Sequence, residues 1–368
     1  MLANLSVEQK NGLPRASAPW VGLIAVCTVV FLASAGLCVG ESDAPWWEMG
    51  WGMQCPAALR SVGAADLARL WDQGGWWRVA TTGFVHGSAL HLTLNMWSLW
   101  VIGAWASRAW GHVAAFACFA VSSVGGVLAS IAWAEAPIVV GASAGILGLA
   151  GGLWVSRGWG EEAVRERVQL VSTRGLGITL GLMVGLGFVV PMIAQAGHLG
   201  GLAFGLLAGI GFARVGPPWS RPAAAVATGL GLLAAGFLAQ APNSRSNYFA
   251  FRGYAALEEG RESEAVPLLD AALELEGDSP DLQNGVAYAL AEAGVELERA
   301  SGLVDQALEE DSENPDYLDT KGWILCRKGE VEQGLEWIEK ASDASGGSVE
   351  EIEEHLENCS DPMFHVKR

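Results

Sequence analysis

Long apolar stretches occupy the first two thirds of the chain, and they predict helices that cross a membrane. Each stretch has roughly 20 residues and few charges, which suits a helix spanning the hydrocarbon core of a bilayer. We predict spans at about 18–40, 86–106, 112–134, 142–158, 174–193, 195–213 and 222–240. The pattern therefore indicates an all-α fold, in which a polytopic membrane helix bundle comes first.

The last third of the chain has a different pattern, because small residues recur there at a fixed spacing. Ala265, Ala300 and Gly334 follow one another at steps of 35 and 34 residues, and Pro280 and Pro315 fall between the units. This period is that of tetratricopeptide repeats, in which small residues let paired helices pack closely. We predict about three repeats in a soluble α-helical domain. Such domains usually bind peptides or partner proteins, and a mere helical spacer is the alternative.

The charge distribution separates the same two regions. Residues 1–240 contain 12 Lys or Arg and 10 Asp or Glu, whereas residues 241–368 contain 10 and 30. Such asymmetry is typical of two units in different solvents, and it argues against nucleic acid or anionic lipid as a partner. We predict a cytoplasmic N-terminal segment at 1–17, a membrane domain at 18–240, a repeat domain at 241–345, and an acidic helix with a loose tail at 346–368.

The basic residues of the short loops predict the orientation of the bundle. With the N-terminus in the cytoplasm, the outer short loops keep only Arg60, Arg69 and Arg78. The inner side then holds Lys10, Arg15, Arg108, Arg157, Arg165, Arg167, Arg174, Arg214 and Arg221. An odd number of spans places the repeat domain outside.

The first outer loop, about 41–85, is rich in tryptophan, so we expect an interfacial belt or a loop half-sunk in the outer leaflet. The tryptophans are Trp46, Trp47, Trp51, Trp71, Trp76 and Trp77.

The six cysteines form no CxxC motif and no cluster with zinc spacing. We interpret most of them as small apolar fillers. Cys38 and Cys55 flank one face of the membrane, so a disulfide between these two remains open.

A serine and a histidine in two different spans are the candidate chemical groups. Ser143 lies in Gly141-Ala142-Ser143-Ala144-Gly145, and His198 lies in Gly197-His198-Leu199-Gly200-Gly201. Polar groups at membrane depth are costly and mark functional sites, and a Ser/His pair suffices for nucleophilic acyl transfer. Gly148 and Gly152 extend the stripe that Gly141 and Gly145 begin, and Gly205 and Gly209 continue every fourth residue after Gly201. Such stripes let two helices approach closely. Because these spans contain no Asp or Glu, we predict a dyad, against the alternative of ordinary packing and a back-bonded serine.

A second polar group opens the second predicted span. His91 and Asn95 are four residues apart and share one helix face. Neutral hydrogen-bond donors aimed at one point suit a developing oxyanion. The alternatives are a polar clamp between helices and metal ligation by His86 with His91, for which the spacing is unsuitable.

Together these motifs resemble the rhomboid family of intramembrane serine proteases over roughly residues 70–214. The resemblance implies that Ser143 is the nucleophile, that His198 is the general base and then acid, and that His91, Asn95 and the Ser143 N–H form the oxyanion hole. It assigns structural roles to Trp77, Arg78, His86, Gly141, Gly201 and Gly205. The chain departs from the family pattern at two positions. Ala144 follows the serine, where the family usually has Gly, and Gly197 precedes the histidine, where the family often has Ala. An extra methyl group at Ala144 could crowd a neighbouring helix, but neither departure removes a catalytic atom, and we interpret both as tolerated variation.

The resemblance implies a serine endopeptidase in a bacterial inner membrane that cleaves transmembrane-helix substrates near the outer face through an acyl-enzyme. It implies no metal and no organic cofactor. Its partners would be transmembrane proteins, the lipid bilayer, and a peptide or protein ligand of the repeat domain. The alternative is a catalytically silent rhomboid-like protein that binds membrane clients, and the retention of both Ser143 and His198 favours the protease.

Overall fold

The computed structural model describes residues 18–39, 55–134, 136–169, 171–186, 195–240, 245–346 and 349–361. The chain divides into two compact units, Met1–Ser244 and Arg245–Arg368. Both units are helical, apart from two short strands in the first. The predicted all-α fold is therefore confirmed. The N-terminal segment, the end of the tail, and the tryptophans 46, 47 and 51 lie outside the described residues.

In the first unit, a helix overlaps each predicted span; residue 40 of the first span and residues 187–193 of the fifth lie outside the described residues. These helices are α1 (Ala18–Val39), α5 (Ala89–Trp110), α6 (His112–Trp133), α7 (Ser143–Trp159), α9 (Thr173–Leu186), α10 (Gln195–Phe212) and α11 (Ser220–Leu238). Shorter elements lie between them: α2 (Pro56–Ser61), β1 (Ala65–Asp66), α3 (Leu67–Gln73), α4 (Arg78–Thr81), a 3-10 turn (Thr82–Phe84), β2 (Ile138–Val139) and α8 (Glu162–Arg167).

Four of the described helices are long and apolar enough to cross a membrane: Ala18–Cys38, His112–Trp133, Gln195–Phe212 and Ser220–Leu238. Helices α7 and α9 are shorter, with 17 and 14 described residues. The count of seven spans therefore stays a prediction.

The predicted start of the second span is wrong by three residues. Helix α5 begins at Ala89, because the side chain of Ser88 caps it by accepting a hydrogen bond from the His91 N–H. His86 therefore precedes the helix, whereas His91 lies in its first turn and Asn95 one turn later.

The centre of the bundle is a contact between α7 and α10 in which backbone meets backbone. A β-carbon built at Gly201 would lie 2.3 Å from the Ala144 carbonyl oxygen, and one at Gly205 would lie 2.2 Å from the Gly148 backbone. The contact continues one turn further on, at Gly209. Small residues permit such close approach in membrane helices. The predicted packing of the two glycine stripes is confirmed.

The predicted first loop, about 41–85, is tied through β1 to the segment that precedes α7. Strands β1 and β2 pair antiparallel, with Ala65 opposite Val139. The Leu67 N–H also donates to the Pro137 carbonyl at 2.9 Å. The loop leading to Ser143 is therefore held by an element that lies about 70 residues earlier in the chain.

The described residues of the second unit form three helix pairs and one further helix. The pairs are α12 (Arg245–Glu258) with α13 (Glu262–Glu276), α14 (Pro280–Ala293) with α15 (Leu297–Glu310), and α16 (Pro315–Lys328) with α17 (Val331–Ser345). Corresponding positions are buried in each pair, as the repeat predicts: Ala265, Ala300 and Gly334, then Leu269, Val304 and Ile338, then Ala272, Ala307 and Ala341.

The last helix, α18 (Glu350–Ser360), packs on α16. His355 Nδ1 lies 2.7 Å from Asp319 Oδ2, and the His355 ring stacks on Trp323 with centroids 4.4 Å apart. A disulfide joins Cys326 to Cys359. The described part of the predicted acidic helix and loose tail is therefore a packed helix.

The interpretation of most cysteines as apolar fillers is wrong. Cys38 and Cys55 are bonded, as are Cys326 and Cys359, and the Cα atoms of each pair lie 5.6 Å apart. Only Cys27 and Cys118 are free, and both are buried in helices of the membrane unit. The sequence pattern does not predict the pair of Cys326 and Cys359, because only helix packing brings together these residues, which lie 33 positions apart.

The α7–α10 contact generates the first prediction. In Gly205→Ala, the new methyl group would meet the Gly148 backbone, which cannot move aside as a flexible side chain can. We expect the free energy of unfolding to fall by about 1–3 kcal/mol, measured by titration with a denaturing detergent in mixed micelles. In the control, Gly229→Ala on α11, nothing lies within 4 Å of the new methyl group, so stability should be unchanged or higher. Equal losses in both variants would contradict the prediction.

Candidate active site

Ser143 and His198 meet across the α7–α10 contact. The His198 Nε2 and Ser143 Oγ atoms lie 2.8 Å apart, which is hydrogen-bond distance. A serine side chain is short, so this bond requires the two backbones to approach more closely than ordinary side chains allow. The glycines of α10 provide that approach, since Gly201 rests on the backbone of Ala144.

The start of α7 leaves backbone donors beside the serine. Gly141 adopts a φ of +114°, which favours glycine, and the helix begins two residues later. The first backbone bond of the helix runs from the Ile146 N–H to the Ala142 carbonyl. The amide groups of residues 143–145 therefore have no acceptor within the helix, and a helix N-terminus favours negative charge.

The His91 ring lies at the same place. A β-carbon built at Gly141 would lie 2.8 Å from His91 Nε2 and 3.8 Å from Ser143 Oγ. The side of Gly141 that lacks a side chain therefore faces both the His91 imidazole and the Ser143 hydroxyl, and the three residues enclose one small volume. His86 packs its ring edge-on against His91, with centroids 5.1 Å apart, and its Nδ1 lies 3.4 Å from the Phe84 carbonyl oxygen.

Asn95 lies on the same face of α5 and is buried. Its side-chain Nδ2 donates to the His91 carbonyl at 3.0 Å, which uses one of its two N–H groups. Asn95 therefore bonds to the helix turn that carries His91, and the second N–H of its side-chain amide remains for another acceptor.

Trp77 and Arg78 hold the first loop. The Arg78 Nη1 donates to the carbonyl oxygens of Arg60 and Ala64 at 2.6 and 3.0 Å, and the guanidinium lies over the Trp77 ring. These contacts join α4 to the turn that leads into β1. They lie in the loop and do not reach the Ser143–His198 pair.

No acidic partner orients His198 among the described residues. Its Nδ1 atom is buried and has no hydrogen-bond partner there. The backbone beside His198 packs closely on α6, since a β-carbon at the preceding Gly197 would lie 2.4 Å from Ser130 Oγ. In the same described part of the chain, no three His, Cys, Asp or Glu side chains could hold a metal ion.

The methyl group of Ala144 does not crowd the neighbouring helix. Ala144 is buried and faces Gly126 of α6, where a β-carbon would lie 2.6 Å from the Ala144 methyl. The missing side chain at Gly126 makes room for the methyl group. Nothing in the local sequence pattern connects Gly126 with Ala144. Thr82, a buried residue that bonds to both strands, is likewise not marked by any local pattern.

Comparisons with known proteins identify two kinds of domain in the chain. Residues 73–215 match the model of the Rhomboid domain, and residues 256–345 match that of a tetratricopeptide repeat. The chain is 27% identical over 271 residues to the Rhomboid protease GluP of Bacillus subtilis, covering 72% of this chain and 51% of that protein. It is 30% identical over 151 residues to RHOMBOID-like protein 4 of Arabidopsis thaliana, covering 41% and 38%.

The chain spans about half or less of the length of these curated relatives. It is an integral membrane protein that carries a rhomboid domain followed by tetratricopeptide repeats. The likeness to named proteases supports an intramembrane protease or a related rhomboid-like function.

The position of Gly141 generates the second prediction. Gly141→Ala would force an alanine into a positive φ and push its methyl group into the His91 ring. We expect the rate at which a fluorophosphonate probe labels the protein to fall by about tenfold or more, since small displacements at a reacting centre are costly. The control is Gly111→Ala, which has a φ of +87° but nothing within 4 Å. Equal labelling rates in the two variants would contradict the prediction.

Proposed function

We propose that this chain is an intramembrane serine endopeptidase, which cleaves transmembrane helices near the outer membrane face with Ser143 and His198. The observation that carries the proposal is the 2.8 Å contact between Ser143 Oγ and His198 Nε2. A nucleophile and a base within hydrogen-bond reach are the signature of covalent acyl transfer. Both lie in apolar helices, where an unused polar pair would be costly.

In the first half of the reaction, Ser143 Oγ attacks the carbonyl carbon of the scissile peptide, and His198 Nε2 takes the hydroxyl proton. For Nε2 to accept it, the imidazole must carry its own proton on Nδ1. Negative charge then develops on the carbonyl oxygen. The Ser143 N–H, the His91 ring and the second Asn95 N–H are the proposed donors to this oxyanion, and each such donor is worth roughly 3 kcal/mol in known cases.

In the second half, His198 returns the proton to the leaving amine, which leaves an acyl group on Ser143. Water then attacks the ester, and His198 accepts a proton from that water and gives it to Ser143. The carbonyl of an intact helix is occupied by its own hydrogen bond, so a substrate must unwind locally. We propose that helices with small or helix-breaking residues near the outer leaflet are preferred.

The dyad generates the third prediction. Ser143→Ala removes the nucleophile and His198→Ala removes the base, so we expect both to abolish fluorophosphonate labelling and cleavage of a transmembrane substrate in detergent. The matched control is Ser34→Ala, which removes a buried serine that bonds to the Phe31 carbonyl; labelling should persist there. A folded wild type that neither labels nor cleaves would refute the protease and favour a client-binding protein.

We further propose that the N-terminus lies in the cytoplasm and the repeat domain on the outer side of a bacterial inner membrane. The loop charges support this orientation, and so does the pattern of cysteines. Disulfides persist in oxidising compartments. Cys55, Cys326 and Cys359 fall in parts predicted to lie outside, and Cys38 lies at the outer end of the first predicted span. The two free cysteines, Cys27 and Cys118, lie further inside predicted spans. In that position the repeat domain can recruit a protein partner or substrate.

This orientation generates the fourth prediction, tested in spheroplasts with a variant in which Cys27, Cys38, Cys55 and Cys118 are alanine. A membrane-impermeant maleimide should label the repeat domain only after treatment with an impermeant phosphine reductant, because Cys326 and Cys359 are bonded. A cysteine at the predicted inner position, Arg165→Cys, should stay unlabelled until the membrane is permeabilised. If Cys326 is labelled only after the membrane is permeabilised, and without any reductant, the repeat domain lies in the cytoplasm and the proposed orientation is wrong.

A further inference from the structure

Thr82 is fully buried at the start of the 3-10 turn that connects α4 to the approach of α5. It belongs to the first outer loop, and neither the predicted dyad nor the predicted oxyanion donors include it. Its hydrogen bonds nevertheless lead directly to the segment before Ser143.

The Thr82 hydroxyl bonds to both strands at once. It accepts from the Ala65 N–H at 3.2 Å, and it donates to the Val139 carbonyl. Ala65 and Val139 are opposite each other in the β1–β2 pair. One hydroxyl therefore satisfies a donor on the first strand and an acceptor on the second.

The Thr82 backbone makes the third bond. Its carbonyl oxygen accepts from the Gly141 N–H at 3.1 Å. Gly141 is the residue whose side without a side chain faces the His91 ring and Ser143 Oγ. The side chain of Thr82 thus anchors it between the strands, and its carbonyl fixes the turn from which the serine projects.

We propose that Thr82 is a positioning residue for Ser143, acting through Gly141. This inference rests on the proposed protease function, because its consequence is a slower attack by the serine. None of these bonds joins Thr82 to Ser143 or His198, so its effect is one of geometry. Without the hydroxyl, residue 82 loses its hydrogen bonds to Ala65 and Val139. The turn at Gly141 can then move relative to the His91 ring.

The neighbouring Thr81 provides the matched control. Its hydroxyl also donates to a carbonyl, that of Gly63 at 2.8 Å, but this bond stays within the first loop. Thr81→Val and Thr82→Val therefore make the same chemical change one residue apart. Only the second removes bonds to the strand that leads to Ser143, and Thr82→Ser restores the hydroxyl.

The experiment uses the full-length protein in detergent with a transmembrane substrate. We expect Thr82→Val to lower kcat by about tenfold or more, with KM within about twofold of the wild-type value, since the change affects alignment and leaves substrate binding intact. Thr82→Ser should retain most of kcat. Thr81→Val should keep kcat even where its thermal unfolding midpoint falls as far as that of Thr82→Val.

Amide hydrogen exchange at Gly141 provides a second readout that needs no activity. Peptides covering residues 136–146 should exchange faster in Thr82→Val than in wild type, Thr82→Ser or Thr81→Val. If the wild type neither labels nor cleaves, the protease proposal fails, and the exchange rates alone decide whether Thr82 holds the turn. Unchanged exchange, or a kcat in Thr82→Val equal to that in Thr81→Val, would overturn the inference.

Discussion

The close contact of α7 with α10 is the physical constraint on which the Ser143–His198 pair depends. Helices with ordinary side chains pack with their axes 8–10 Å apart, and the short serine side chain could not then reach a ring on the facing helix. Gly201, Gly205 and Gly209 remove the intervening side chains, so that the two backbones touch over two turns. The 2.8 Å bond between Ser143 and His198 is thus a consequence of helix packing.

The same packing extends to a third helix beside the histidine. His198 Nδ1 has no partner among the described residues, and a charged carboxylate in an apolar helix would itself be costly. Gly197, next to His198, fits against Ser130 on α6, and Gly126 of the same helix faces the methyl group of Ala144. Helix α6 therefore packs closely against the residues next to both Ser143 and His198.

The first loop adds a constraint from outside the helices. Arg78 holds the loop through two carbonyl oxygens, and the β1–β2 pair joins it to the segment before Ser143. The serine is therefore fixed from two sides: by α10 along the helix, and by the loop at the turn. The repeat unit has its own core of corresponding buried residues, and this explains how its period remains visible in the sequence.

Several features follow from the sequence because they depend on local, repeated patterns. Apolar length indicates the helices of the membrane unit, the 34-residue period indicates the repeats, and the glycines flanking Ser143 and His198 indicate the contact between two helices. Ser88, by contrast, moved the start of α5 past His86, because a single cap decides where a helix begins. The pairing of Cys326 with Cys359, the fit of Ala144 to Gly126 and the bonds of Thr82 depended on the tertiary structure. Each joins residues that are distant in the chain, and no periodicity records which distant residues will meet.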